Sequence, residues 1–188
     1  MYQFSAPHPL LRPYIENYWL LRLRTDKALP FAETIWADGK PDILFNLGAP
    51  YERVNMQETS DTTRISNLDA QRTYPVAIQQ HGAIHLIGVR FQVGGLSPFL
   101  AVPMHELSGQ VLDLVTLFGR AVHELEAQLH DAQTSTARQF ALLDRFFLKR
   151  LRVEPVHHLL QAVVQEIAAH SGSLAVPRPG TPAGARSL

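Results

Sequence analysis

The sequence contains no cysteine, which excludes disulfides, thiolate nucleophiles, Fe–S clusters and cysteine-type zinc sites together. It has no excess of either charge. Its 17 Lys plus Arg balance 17 Asp plus Glu, so the overall basic field of an autonomous nucleic-acid binder is missing. No apolar run reaches the ~18 residues that a membrane-spanning helix needs, and the N-terminus lacks a basic stretch followed by an apolar core. A cytoplasmic location without membrane contact is the default expectation. Nor is there a phosphate-cradling loop, because Gly94-Gly95 lacks the following Lys-Ser/Thr. Ser97 and Ser108 stand in no nucleophile-elbow context. What the chain does have is 188 residues with 46% hydrophobic content, enough to bury a core in one domain or one domain plus part of another.

The stretch Ala83 to Leu107 divides two patterns. Its first half, Ile84 to Phe91, reads as a strand buried on both faces, with Arg90 as its single charge. A guanidinium in that position must find acceptors. Before it lie several short apolar segments with strand character. Ile15 to Arg24 alternates at Leu21 and Leu23 against Arg22 and Arg24. AETIWADGKPDILFNLG reads as strand, turn, strand about Asp38-Gly39. Thr73 to Gln79 is another strand. Pro7, Pro9 and Pro13 give an extended arm with a short helical turn near Leu10 to Tyr14. Tyr51 to Arg72 has no clear period and suggests short edge strands with an exposed loop near Thr59 to Thr63.

After Ser108 the period changes to about 3.6. Val111 to Leu129 reads as one helix capped by Asp113. A second is capped by Thr134 or Ser135, with Phe140, Leu143, Phe147 and Leu151 as its apolar stripe. A third starts at Pro155 and stops at Ser171-Gly172. The expected class is therefore α+β: a β-barrel or sandwich over 1–107, a helical region over 108–172 of about three helices, and a disordered Pro/Gly/Ala tail over 173–188.

Nine histidines invite a metal hypothesis that their spacing does not support. His81 and His85 fall ~13 Å apart along an extended chain, His157 and His158 point in different directions on a helix, and no strand-borne His-x-His occurs. The paired carboxylates Asp38 and Asp42 could do acid/base work, but turn formation accounts for the Asp-Gly pair without chemistry. Arg138, Arg145, Lys149 and Arg152 share one helix face, expected to be solvated rather than to contact phosphate. No catalytic residue, metal or cofactor is expected, and the chain is not expected to be an enzyme.

Four phrases in order resemble the N-terminal regulatory region of a subgroup of AraC-type transcription regulators: PHPLLRPYIENYWLLR, ADGKPDILFNLG, GVRFQVGGLSPFLAVPMHELSGQVLDL and FALLDRFFLKRL. The resemblance implies a cupin-like barrel followed by helices that mediate homodimerisation, and a small-molecule effector. It also implies a C-terminal pair of helix-turn-helix motifs, where this chain reads PRPGTPAGARSL. DNA contact is thus expected only indirectly, through a reader domain supplied elsewhere. A cupin-type metalloenzyme and a module forming mixed dimers with a full-length regulator are the alternative readings.

Arg90 has two competing roles, a structural ion pair or the bidentate anchor of an anionic ligand. Trp19, Trp36, Phe45 and Phe91 are candidates to line a pocket around it, the alternative being that they are simply core.

Overall fold

The computed structural model describes residues 2–25, 30–54 and 66–170, and the backbone of 60–63. Strand β1 (Tyr2–Ser5) is followed by a 3-10 turn at Pro9–Leu11, then β2 (Ile15–Thr25), β3 (Phe31–Ile35), β4 (Asp42–Asn46) and β5 (Tyr51–Val54). Next come β6 (Ser60–Thr63), β7 (Asn67–Asp69), β8 (Val76–Gln80) and β9 (Gly82–Phe91). The single-turn helix α1 (Met104–Leu107) leads to β10 (Val111–Asp113) and to α2 (Leu114–Phe118), α3 (Ala121–Asp131), α4 (Thr136–Leu148) and α5 (Pro155–Ala169).

The chain is α+β, with two antiparallel sheets. The larger runs β1-β2-β9-β4-β7-β10 and the smaller β3-β8-β5-β6, and they remain separate sheets rather than one closed barrel. The Asp38-Gly39 turn is present, with Lys40 N–H donating to Asp38 Oδ1 at 3.1 Å and Gly39 at φ 77°. It does not close a hairpin, however. β3 pairs with β8 and β4 with β9 and β7, so this turn carries the chain from one sheet to the other.

Strand alternation gives the larger sheet two faces with different work. Residues next to each other on a strand point to opposite sides. Ile87, Val89 and Phe91 of β9 and Ile43 and Phe45 of β4 join the core shared with the helices, while Leu86 and Leu44 face the smaller sheet. On β2 a bulge between Ile15 and Asn17 reverses the alternation. Ile15, Tyr18 and Leu20 therefore all pack on the helix side.

The helix side is closed by aromatic rings. Phe147 of α4 lies 5.7 Å from Phe91 and 5.2 Å from Phe99, both edge to face, a favoured arrangement. One apolar cluster runs from Leu11 through Phe91 to Phe147, so the core crosses the expected boundary at 107/108 without interruption.

Two expectations are corrected. Val111 to Leu129 is not one helix: Val111–Asp113 pairs with β7, Asp113 Oδ1 accepts from Val115 N–H at 2.8 Å to start α2, and Gly119, at φ 68°, ends it. That left-handed conformation is unfavourable with a side chain present. Ser60–Thr63 is an edge strand on β5 rather than a loop. The first residues are extended, as expected, and pair with β2 as β1, and the short helical turn follows at Pro9–Leu11. The expected caps at Ser135 and the start at Pro155 are found. Thr59, the Ser171-Gly172 stop and the 173–188 tail lie outside the described residues. No described helix is long and apolar enough to cross a membrane.

Candidate functional site: the cavity between the sheets

The floor of the site is a row of polar residues running across four strands. In register, Asn17 of β2 faces Arg90 of β9, Arg90 faces Asp42 of β4, and Asp42 faces Asp69 of β7. The neighbouring row is Trp19, Gly88, Leu44 and Asn67. Gly88 is what lets the Trp19 indole lie across β9, since a Cβ there would overlap the ring. Above this floor is a cavity of about 390 Å³, walled by Phe31, Ile35 and Ile78 of the smaller sheet and rimmed by Tyr2, Phe4 and Trp36.

The rim sits where edge strands β1 and β3 approach without pairing. Tyr2 O–H donates to the Glu33 carboxylate across that gap, and burial is the first cause of the raised pKa of the Tyr2 hydroxyl. Phe4 and Trp36 are 67% and 73% exposed, so the aromatic lining continues onto the surface. Contiguous exposed aromatic surface of this kind marks binding sites.

Arg90 is engaged on every nitrogen. Its Nη1 donates to Asp42 Oδ2 at 2.7 Å, its Nη2 to Asp38, and its Nε lies 3.8 Å from Glu16 Oε2. Asp42 also accepts from the Trp19 indole N–H at 3.3 Å. Burial pushes the Asp42 carboxyl up to about 7, against the pull of Trp19, Arg72 and Lys40. The Arg90 guanidinium acts in the same direction as those three.

Of the residues expected around the pocket, Arg90, Trp19 and Trp36 line the cavity and Phe45 and Phe91 do not. Both phenylalanines are at most 1% exposed in the core against the helices. The pleat explains this: Phe91 follows Arg90 directly and must take the other face. Asp38 and Asp42 come together as partners of Arg90. His81 is exposed and His85 buried, and among the described residues no three His, Asp or Glu side chains form a set that could hold a metal ion.

Sequence reasoning missed two features. One is Asp69, 3% exposed, whose Oδ2 is shared by Arg72 and, at 3.3 Å, Arg53. Burial lowers the Arg72 guanidinium to about 10. Its signal was an alternating polar pattern in a segment without other periodicity. The other is a polar seam on the opposite sheet face. His85 Nε2 lies 3.0 Å from Arg22 Nη2 and 3.5 Å from the Gln139 amide nitrogen, and that amide donates to Leu129 O at 2.9 Å. Tyr18 O–H donates to Asp144 Oδ1 at 2.9 Å nearby in the same layer. The strands under the cavity are thereby tied to α3 and α4.

A solved structure of Bacillus subtilis oxalate decarboxylase, described for its Mn(II) centers, is 18% identical over 48% of this chain and 30% of that one, at a TM-score of 0.26. This chain thus spans under a third of that protein's length, and a likeness of that size carries no argument about chemistry. No curated protein matches the sequence. Residues 3–113, more than half of the chain and all but Tyr2 of the strands that build the cavity, match the family described as domain of unknown function DUF6597, and the chain belongs to that family.

Proposed function

We propose that the chain is the effector-sensing and dimerising part of an AraC-type transcription regulator, holding a small molecule in the cavity between its sheets. The observation that carries this reading is the cavity itself, apolar and aromatic with a few convergent polar groups, which is the usual make-up of a small-molecule site. The four sequence phrases supply the regulator assignment, and the two-sheet β unit is then an open variant of the cupin-like architecture they imply. β9 links the site to the output. Leu86 and Arg90 line the cavity, while His85 and Phe91, on its other side, touch Gln139 and Phe147 of α4.

Both tryptophans of the chain line the cavity, so their emission reports on occupancy. Single-ring aromatic probes with positive, neutral or negative head groups are the test. At millimolar concentration at least one is expected to change the emission saturably and to raise the melting temperature, as any ligand of the native state must. Silence from all of them in both readouts sinks the reading.

The dimer is proposed to form through α5. None of its residues is buried, and Val156, Leu159, Leu160, Val163 and Ile167 are exposed at helical spacing. Leu159 and Val163 are 65% and 48% exposed, so glutamate at both positions should leave the fold intact. Sedimentation velocity is expected to show a dimer at micromolar concentration for the wild type and a monomer for Leu159→Glu/Val163→Glu. A monomeric wild type ends the dimer reading.

A further inference from the structure

We propose that the cavity takes a small organic cation, an ammonium carried on a flat apolar body, recognised by Glu33 and the aromatic rim. The inference rests on the cavity being a ligand site, and of the two competing roles of Arg90 it takes the structural ion pair. An anion would need a guanidinium with open donors. The charge of Arg90 is already matched, because Nη1 and Nη2 donate to Asp42 and Asp38 and Glu16 lies 3.8 Å from Nε.

What the cavity presents is acceptor-rich. Glu33 at the mouth has the Tyr2 hydroxyl as its hydrogen-bond partner and no ion pair among the described residues. Asp69 in the floor is buried, and its Oδ1, like Asn17 Oδ1, has no hydrogen-bond partner among the described residues. Of the four carboxylates that line the space, Asp38 and Asp42 are paired with Arg90 and Asp69 with Arg53 and Arg72, which leaves Glu33 as the one without an ion pair among the described residues. A carboxylate or phosphate at the mouth would meet the like charge of Glu33, whereas an ammonium there would find its carboxylate as acceptor. The rings supply the rest. Tyr2 lies 6.0 Å edge-on to Trp19 and 5.9 Å from Phe4, and a cation over such faces is attracted by the ring quadrupole.

The experiment compares phenethylamine, 2-phenylethanol and phenylacetate, which share one ring and differ in charge, by tryptophan emission and melting temperature with the whole chain. Phenethylamine is expected to bind about tenfold more tightly than the alcohol, and phenylacetate more weakly still. Glu33→Gln, at an exposed position where refolding is not at issue, should abolish most of the preference of the site for phenethylamine over the alcohol. Equal or tighter binding of phenylacetate or the alcohol overturns the cation assignment and leaves the cavity reading standing. So does a preference that survives in Glu33→Gln. If none of the three changes either readout, the cavity reading falls and this inference with it.

Discussion

Replacing Phe147 with alanine is expected to lower stability by about 3–5 kcal/mol, the usual range for deleting a fully buried phenylalanine. The ring is 0% exposed and lies between Phe91 and Phe99 on the strand side and Phe118 and Phe146 on the helix side. Little is free to collapse into the space it leaves, because its neighbours are themselves rings held edge to face. The loss should be felt by both halves at once, since a single apolar cluster spans them. Tryptophan emission from the β layer and far-ultraviolet circular dichroism from the helices are therefore expected to change together, at a lower denaturant concentration than in the wild type. Separate transitions for the two probes would show that the halves do not share a core. Trp36→Ala is the control: at 73% exposure it should cost within about 0.5 kcal/mol.

Between pH 7 and pH 5 the substitutions His85→Gln and Asp42→Asn are expected to change stability in opposite directions. A guanidinium and an amide nitrogen can only donate, so Arg22 and Gln139 require a lone pair on His85 Nε2. Burial first, then the Arg22 and His130 charges, hold its pKa down at about 4. The unfolded chain takes up that proton near pH 6.5, the folded chain does not, and stability falls with acidification through that window.

Asp42 has the reverse sign. Its carboxyl, raised mainly by burial to about 7, binds a proton in the folded state that the unfolded chain takes up only near 3.8, so acidification favours the fold. At up to about 1.4 kcal/mol for each pH unit and less after solvent screening, the two groups pull stability in opposite directions between pH 7 and 5 in the wild type. His85→Gln exposes the Asp42 trend and should be more stable at pH 5 than at pH 7. Asp42→Asn exposes the His85 trend and should be less stable at pH 5. Chemical denaturation at pH 5, 6 and 7 measures both, and parallel profiles for the two variants would refute this assignment.

Several parts of the site were legible in the residues. The β9 run with a lone Arg90 required acceptors close by, and ADGKPD held the two aspartates that supply them. Strand alternation, applied strictly, would also have separated Phe91 from Arg90. Other parts were not legible. The bulge at β2 that puts Asn17 and Trp19 on the cavity face depends on pairing with β9. The bond from Tyr2 to Glu33 joins residues 31 positions apart, on edge strands of different sheets. Val111 to Asp113 fits the helical period of the residues after it, yet pairing with β7 holds it as strand.

By itself the sequence determined the α+β order of elements, the caps at Asp113 and Ser135 and the start at Pro155, and the need of Arg90 for carboxylates. These follow from interactions within a few residues, where backbone sterics and side-chain period decide. Only the tertiary structure decided that there are two sheets, that β3 and β4 part company at Gly39, and that a cavity remains between them with its aromatic rim and unpaired acceptors. Those outcomes depend on which distant strands pair, a choice set by the packing of the whole core.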